Sequence, residues 1–300
     1  MELNSEEIKR HKEILCETMK AFIAFCNKYH LQYFACAGTC LGAIRHKGII
    51  PWDDDIDVLM PRKDYNKFLS LKSQLSGTSY NIVDPTTKGY YLSFAKFENI
   101  NTTIYEVCEY PFVFGVFIDV FPLDEVGDEL VARQLFRRRS KIWNHYNFTL
   151  SRFVPSVFTD FRINYGLKVA LKYFVYSTLG GLMRELLYKG FVANEHVIQK
   201  QRGDKCMCYG GSYGFEKELC DKEWFGEGLE VPFEDFSIIV PKMYDAYLKH
   251  FYKDYMTPPP IEQRVTHHNQ YFVDLAKRWS VEDVLKLNLG KQTKKTYKYE

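Results

Sequence analysis

The sequence feature that most constrains the fold is a run of four carboxylates between two apolar segments. Asp53, Asp54, Asp55 and Asp57 fall within five positions of the stretch GIIPWDDDIDVLMP. In a strand, alternate side chains share a face, which predicts that Asp53, Asp55 and Asp57 project together while Asp54 points away. Clustered ionised carboxylates repel one another unless a cation neutralises them. Oxygen ligands suit Mg²⁺ or Mn²⁺, and such ions commonly bind phosphate as well, so the segment predicts a metal site for a phosphorylated substrate.

An acidic run of this kind has two other interpretations. An EF-hand calcium loop also alternates aspartates, but it requires glycine at its sixth position and glutamate at its twelfth. Counted from Asp53, those positions hold Val58 and Asp64, which excludes an EF-hand. A solvated acidic turn stays open, although it does not explain the apolar residues that flank the carboxylates closely on both sides.

Three further features fit a phosphate-binding site. Gly38 ends the apolar stretch LQYFACAG and Thr39 follows it, and such a turn lets backbone N–H groups approach an anion. Arg45 and Lys47 lie between that turn and the aspartates, where they can pair with phosphate. Asp119 stands alone in the apolar stretch GVFIDVFPLD, and a buried carboxylate needs a partner or a metal.

Composition narrows the class of protein. The chain has 300 residues, 46% of them hydrophobic, and a formal net charge of +2. This length and hydrophobic content suffice for a sizeable core, and the near-neutral balance argues against a dedicated nucleic-acid binder. The charged start, MELNSEEIKRHKE, has no apolar signal region, and the eight cysteines form no paired motif, so a cytoplasmic protein with reduced thiols is expected. Zinc binding by Cys206, Cys208 and Cys220 is a weaker alternative, since no fourth ligand is evident.

The hydrophobic patterns predict an α+β fold. Apolar residues at helical spacing predict an amphipathic helix over residues 5–29, and residues 62–75 predict another. From residue 128 to about 201 the pattern is helical and basic. Short apolar and β-branched runs bounded by turn residues predict strands at 31–38, 56–61, 80–84, 91–98, 102–107 and 114–121.

The segment KVALKYFVYSTLGGLMRELL raises the question of membrane contact. Its longest uncharged run, Tyr173 to Met183, is shorter than the roughly 20 residues that a spanning helix needs. A buried helix is the favoured interpretation. A helix lying on a membrane surface is the alternative, because lysine and arginine residues flank the apolar run.

The motifs resemble those of a known family. The stretch AGTCLGAIRHKGIIPWDDDIDVLMPRKDY resembles the LicD family of phosphocholine transferases, which includes the fukutin-related proteins, and FIDVFPLD and YKDYMTPPPIEQRVTHH are similar to its other signature blocks. The resemblance implies a nucleotidyltransferase-like mixed β-sheet flanked by helices, with a helical middle region. It implies a catalytic core over residues 1–127, a helical insertion over 128–201 and a C-terminal part, 202–300, that completes the domain.

The resemblance also implies a reaction and a set of site residues. Family members move a phosphorylated alcohol, commonly phosphocholine from CDP-choline, onto a glycan hydroxyl; other CDP-alcohol donors, and a lipid-linked glycan acceptor of lipopolysaccharide or capsule, stay open. The expected metal is Mg²⁺ or Mn²⁺ on Asp55, Asp57 and Asp119, with Asp53 completing a second metal's shell or acting as base. The expected substrate-binding residues are Gly38, Thr39, Arg45, Lys47, Lys96, Arg264 and His267, with His268 beside the last.

Three matters stay undecided by the sequence. Nucleotidyl transfer, in which CMP or AMP itself moves, and a non-catalytic nucleotide- or glycan-binding subunit are the alternative functions. Peripheral contact with the inner face of the membrane is an alternative to a free cytoplasmic protein. A choline group would be recognised by aromatic faces, and the sequence does not identify them.

Overall fold

The long first helix forms one side of the core. The computed structural model describes residues 5–264 and 270–287. The predicted amphipathic helix is confirmed as α1 (Ser5–Tyr29), whose buried stripe includes Leu15, Met19, Phe22 and Cys26. The ring of Phe22 packs edge-on against Tyr33, Phe68 and Phe97, so α1 covers one face of the sheet.

A mixed sheet carries the predicted acids. Its central strands are β1 (Phe34–Ala35), β2 (Asp57–Pro61), β5 (Phe114–Val126) and β4 (Ala95–Tyr105), adjacent in that order. Only the β2–β5 pair among these is parallel. β4 also pairs with β3 (Tyr80–Val83) and β10 (Phe272–Asp274), and the far end of β5 pairs with β6 (Lys205–Met207), which pairs with β7 (Cys220–Asp221). With helices flanking this sheet, the predicted α+β class is confirmed.

Several element boundaries differ from the predicted ones. The strand predicted over 31–38 is short, because α2 (Ala37–Arg45) begins directly after Cys36. The helix predicted over 62–75 is α3 (Arg62–Ser70) followed by a 3-10 turn at Lys72–Leu75. The strands predicted over 91–98 and 102–107 form the single strand β4, whose register shifts between Asn99 and Ile104. Gly115 permits this irregularity, since a Cβ there would overlap the Asn99 carbonyl.

The middle region is helical, as predicted. It contains α4 (Glu129–Leu150), α5 (Pro155–Tyr165), α6 (Leu167–Leu179) and α7 (Gly181–Ile198). Trp143 and Tyr146 of α4 pack against Phe191 of α7. A buried ion-pair network ties these helices to the sheet: Glu195 accepts from Arg139 at 2.6 Å and from Arg62 at 3.1 Å, and Arg62 also binds Asp124 of β5.

The C-terminal part returns to the sheet. Beyond β6 it contains α8 (Phe215–Glu218), the hairpin β8 (Leu229–Phe233) and β9 (Phe236–Val240), α9 (Tyr244–Tyr252) and α10 (Val281–Lys286), with 3-10 turns at Lys222–Trp224 and Ile261–Gln263. Both β6 and β10 are added to strands that precede the middle helices. The division of the chain at 127/128 and 201/202 stays a prediction.

The apolar segment around residues 168–187 is not one buried helix, so that prediction is wrong. α6 ends at Leu179 and α7 begins at Gly181. Apolar side chains on both helices are exposed, among them Leu179 at 62%, Leu182 at 90% and Leu186 at 71%. Within residues 5–264 and 270–287, no helix has the length and apolar character that a bilayer span requires.

Candidate active site

The parallel pairing of β2 with β5 brings two predicted acids side by side. Asp57 is opposite Asp119 in the register, and Asp119 N donates to Ile56 O at 2.9 Å. One carboxylate oxygen from each of Asp55, Asp57 and Asp119 lies within 4.8 Å of the others. Three oxygens of this spacing, two on half-buried side chains and one on buried Asp119, form a donor set that suits a hard divalent cation.

The strand-parity prediction holds only in part. Residues 53–56 precede β2 and are not paired as a strand. Asp53, Asp55 and Asp57 line a common cavity, as predicted, while Asp54 is 5% exposed and does not line it. Asp54 is nevertheless not remote, because oxygens of Asp53, Asp54 and Asp55 also lie within 4.8 Å of one another. Asp53, Asp54 and Asp55 precede the strand, so strand alternation does not fix the directions of their side chains.

The cavity has a volume of about 810 Å³ and receives the first turn of α2. Ala37 and Gly38 lie in its wall, and backbone N–H groups at a helix N-terminus favour anions. A Cβ on Gly38 would lie 2.7 Å from Asp53 Oδ2, so glycine is needed for the helix to approach the acid. Thr39 is buried, and its hydroxyl accepts a hydrogen bond from Asp57 N at 2.8 Å, which fixes the start of β2.

Lys96 neutralises Asp119 from inside the protein. The two residues are opposite each other in the β4–β5 register, and Lys96 Nζ donates to Asp119 Oδ1 at 2.6 Å. Burial raises the pKa of Asp119 to about 6, while the Lys96 ammonium acts to lower it. Lys96 is 2% exposed, with its ammonium 3.1 Å from the Phe117 ring centroid, so it faces the core rather than the cavity where a phosphate contact was predicted.

Two predicted cations meet at Trp52. The Arg45 guanidinium lies 5.9 Å and that of Arg264 4.9 Å from the indole centroid, and Arg45 and Trp52 both line the cavity. Burial lowers the pKa of Arg45, and the neighbouring Arg264 charge lowers it further. Two like charges this close favour an anion between them. Lys47 is exposed and does not line the cavity, and His267 and His268 lie outside the described residues.

Lys12 contributes a charge that sequence reasoning missed. It lies on α1, its ammonium donates to Pro51 O at 2.7 Å, and its charge interacts with Asp53 and Asp54. Burial lowers the pKa of Lys12, and the Asp53 charge opposes that effect. No local pattern signals this role, because Lys12 and the aspartates meet only through packing of α1.

Another part of the cavity wall is aromatic, which was also not predicted. Its walls include Tyr213, Tyr247, Phe251 and Tyr252, together with the carboxylate of Glu218. The stretch CYGGSYGFEKE held the only sequence signal, a glycine- and tyrosine-rich loop before a glutamate.

The cysteines weighed as zinc ligands are free thiols. Cys206, Cys208 and Cys220 are buried, and burial raises the pKa of each above its usual value. Zinc binds the thiolate, which this burial disfavours. In the part of the chain that the structure describes, they join no group of three possible metal ligands.

Comparison with known proteins gives a match to a protein family. The model described as "LicD/FKTN/FKRP, nucleotidyltransferase domain" matches residues 30–161, which include Asp53, Asp55, Asp57 and Asp119 of the cavity wall. The predicted resemblance of the motifs to the LicD family is confirmed.

Individual proteins are also similar to this chain. The chain is 28% identical over 267 residues, 87% of its length and 96% of the relative's, to "Lipopolysaccharide cholinephosphotransferase LicD" of Haemophilus influenzae. It is also 33% identical over 86 residues, 27% of this chain and 28% of the relative, to an uncharacterized protein of Rickettsia typhi.

Proposed function

We propose that this protein transfers phosphocholine from CDP-choline to a hydroxyl of a lipopolysaccharide-type glycan. The observation that carries the proposal is the convergence of Asp55, Asp57 and Asp119 in a cavity that also presents Arg45 and the first turn of α2. The relative that covers most of the chain is named a cholinephosphotransferase. The prediction that the chain is an enzyme of this transferase class is confirmed at that level; the donor and acceptor are part of the proposal.

Asp55, Asp57 and Asp119 fit a divalent cation, because their oxygens are hard donors at ligand spacing. We propose Mg²⁺ or Mn²⁺ as that cation. When bound, it neutralises charge on the donor's pyrophosphate and makes CMP a better leaving group.

The chain's other residues have separate roles in the proposed reaction. Arg45, Arg264 and the α2 N-terminus bind phosphate oxygens and orient the donor. Asp53 accepts the proton of the acceptor hydroxyl. The hydroxyl oxygen then forms the new P–O bond while the P–O bond to CMP breaks. Gly38 keeps the first turn of α2 beside Asp53, so base and phosphate site stay adjacent.

We further propose that the exposed apolar side chains of α6 and α7 contact the membrane that carries a lipid-linked acceptor. Leu182 and Leu186 are one helical turn apart, so they share a face. Exposed apolar side chains that share a face are typical of an interaction site. The cytoplasmic location expected from the sequence stays a prediction.

The test is incubation of the protein with acceptor glycan, Mg²⁺ and CDP-choline, CDP-ethanolamine or CDP-ribitol, followed by the mass of the product. We expect a phosphocholine adduct and free CMP, and none with Asp55→Asn. A CMP or AMP adduct would instead establish nucleotidyl transfer. Thermal stabilisation by the donors without any product would favour the non-catalytic alternative.

A further inference from the structure

Glu218 is a buried acid beside the glycine loop of the cavity. It ends α8, is 6% exposed and lines the cavity. Its Oε1 accepts a hydrogen bond from Tyr213 N at 3.1 Å, and no described lysine, arginine or histidine forms an ion pair with it. A Cβ on Gly211 would overlap the carboxylate, so the glycine loop closes directly over it. A buried carboxylate is normally paired with a cation or neutralised by a proton, so a cationic ligand is a partner that would keep Glu218 ionised.

Aromatic rings surround the same part of the cavity and hold one another in place. The Tyr213 ring meets Phe251 edge-on at 5.2 Å and Tyr252 at right angles at 6.2 Å. The hydroxyls of Tyr213 and Tyr252 are 2.8 Å apart, so both rings are fixed. Lys217 Nζ lies 5.6 Å from the Tyr213 centroid, which shows that this ring already attracts a cation.

Tyr213 also links this part of the cavity to the metal-binding acids. Burial raises the pKa of Tyr213, and the charges of Asp57 and Glu218 raise it as well. Both carboxylates therefore act on one side chain from within the same cavity. A donor whose phosphates lie at Asp57 can place a group joined to the phosphate by a short linker beside Glu218.

We propose that Glu218, with the rings of Tyr213, Phe251 and Tyr252, binds the quaternary ammonium group of the choline moiety. This subsite rests on the proposed function and adds the residues that select the alcohol. A quaternary ammonium donates no hydrogen bond, so it is recognised by aromatic faces and by an anion rather than by a polar network. The aromatic walls and the Glu218 carboxylate match those needs.

The test compares CDP-choline with the CDP ester of 3,3-dimethylbutan-1-ol, in which carbon replaces the charged nitrogen at the same shape. In the wild-type protein we expect kcat/KM to favour CDP-choline by about 10- to 100-fold, the range that one to two cation-binding contacts provide. Glu218→Gln should lose most of that preference, because kcat/KM should fall for CDP-choline and stay unchanged for the uncharged ester. Glu216→Gln, an exposed acid on the same helix that pairs with Arg133, is the matched control and should keep it.

A binding experiment separates this subsite from the proposed reaction. Tetramethylammonium chloride, titrated calorimetrically, should bind the wild type and Glu216→Gln but not Glu218→Gln. If the wild type transfers phosphocholine and Glu218→Gln keeps the full preference, the subsite is wrong and the function stands. If no CDP-alcohol reacts but tetramethylammonium binding depends on Glu218, the subsite stands and the function is wrong. If the wild type binds no tetramethylammonium, the subsite is wrong.

Should Glu218→Gln fail to fold, Glu218→Asp replaces it. This change keeps the negative charge but shortens the side chain by one methylene, so the carboxylate lies farther from the ligand. The preference for CDP-choline should therefore fall without disappearing. An unchanged preference in that variant would overturn the subsite.

Discussion

Asp55 belongs to both groups of three carboxylates whose oxygens lie close together, and it lies between Asp53 and Asp57 in the chain. We expect Asp55→Asn, Asp57→Asn and Asp119→Asn each to lower turnover by at least about 100-fold, the loss typical of removing one preorganised electrostatic group. The measurement is transfer rate against Mg²⁺ concentration, with circular dichroism to confirm folding.

Asp54→Asn is the matched control for these three aspartate substitutions. Asp54 does not line the cavity, so most activity should survive its neutralisation. An active Asp55→Asn protein would remove the metal-dependent mechanism, and an equal loss in all four variants would show that Asp54 belongs to the same site.

Glu218 gives a pH-dependent prediction for stability. Burial raises its pKa from 4.5 to about 7, so the folded state favours the protonated acid. Its contribution to stability is therefore complete below pH 4.5 and is lost as the pH rises through about 7. Glu218→Gln should exceed the wild type in free energy of unfolding by up to about 3 kcal/mol at pH 8 and by little at pH 5.

The measurement is urea unfolding of the ligand-free proteins at both pH values. Glu216→Gln should show no gain at pH 8, because Glu216 is exposed. A stability difference for Glu218→Gln that is equal at pH 5 and pH 8 would contradict a raised pKa in the folded protein.

The acids could be predicted from sequence because their spacing is local and their clustering is costly without a cation. The positions of the predicted basic side chains relative to the cavity could not be predicted in the same way. Lys96 and Arg45 are both basic residues near predicted strands, yet one is sealed against Asp119 and the other reaches the cavity. Only the register of β4 against β5 separates them, and sequence alone does not give that register.

At the scale of elements, α4 and α7 act on the cavity through Arg139. Its guanidinium donates to Ser93 O at 2.9 Å and to Tyr209 O at 3.3 Å, directly before the glycine loop that encloses Glu218. Glu195 of α7 holds Arg139 in that position. The helical middle region therefore supports the wall of the site rather than standing apart from it.

Glu195→Gln tests this support. Burial acts to raise the pKa of Glu195, but Arg139 and Arg62 outweigh it and the pKa is lowered. The ion pairs therefore stabilise the fold above the ordinary glutamate pKa, and the stabilisation is lost as the pH falls through the lowered value. At pH 7 the substitution should reduce the free energy of unfolding by about 3–5 kcal/mol, since it leaves buried Arg139 without its anion, while Arg62 keeps Asp124.

Glu185→Gln on the same helix provides the comparison. Glu185 pairs with Lys189 at the surface, so denaturant midpoints for this variant should match the wild type. If Glu195→Gln were as stable as Glu185→Gln at pH 7, the buried network would not support the helices in the way described.

Helix positions were predicted more accurately than strand ends. α1 spans the predicted residues because its apolar period repeats over seven turns, whereas β1 is cut short by Cys36 and Ala37. Ala37 adopts a φ of 45° at that junction. A positive φ is unusual for alanine, so the residue type does not indicate it. The early start of α2 therefore could not be predicted from the sequence.

At the scale of the whole molecule, membrane binding is the property to test. Leu182→Asp/Leu186→Asp should abolish flotation with anionic vesicles, because charged side chains on this face oppose insertion. High salt should weaken wild-type binding only partly, since salt screens the lysines but not the apolar contact.

Leu130→Asp is the matched control, as Leu130 is 72% exposed on α4 outside this surface. It should float like the wild type. Failure of the wild type to float, or flotation of the double variant, would exclude membrane contact through α6 and α7.

The sequence did not allow us to predict which distant strands pair in the sheet. The α+β class and the helical middle could be predicted from local periodicity. The return of β6 to β5 and of β10 to β4 depends on long-range pairing, for which short strands such as Lys205–Met207 carry no local signal.

The parallel pairing of β2 with β5 also has a consequence for how the chain folds. It joins residues about 60 positions apart, and contacts of that separation form slowly because a large loop must close first. α1 forms from contacts within its own turns, whereas α4 and α7 pack together across the intervening α5 and α6. We therefore expect α1 to form before the acidic centre, so that a newly made chain acquires its chemistry only after β2 and β5 have paired.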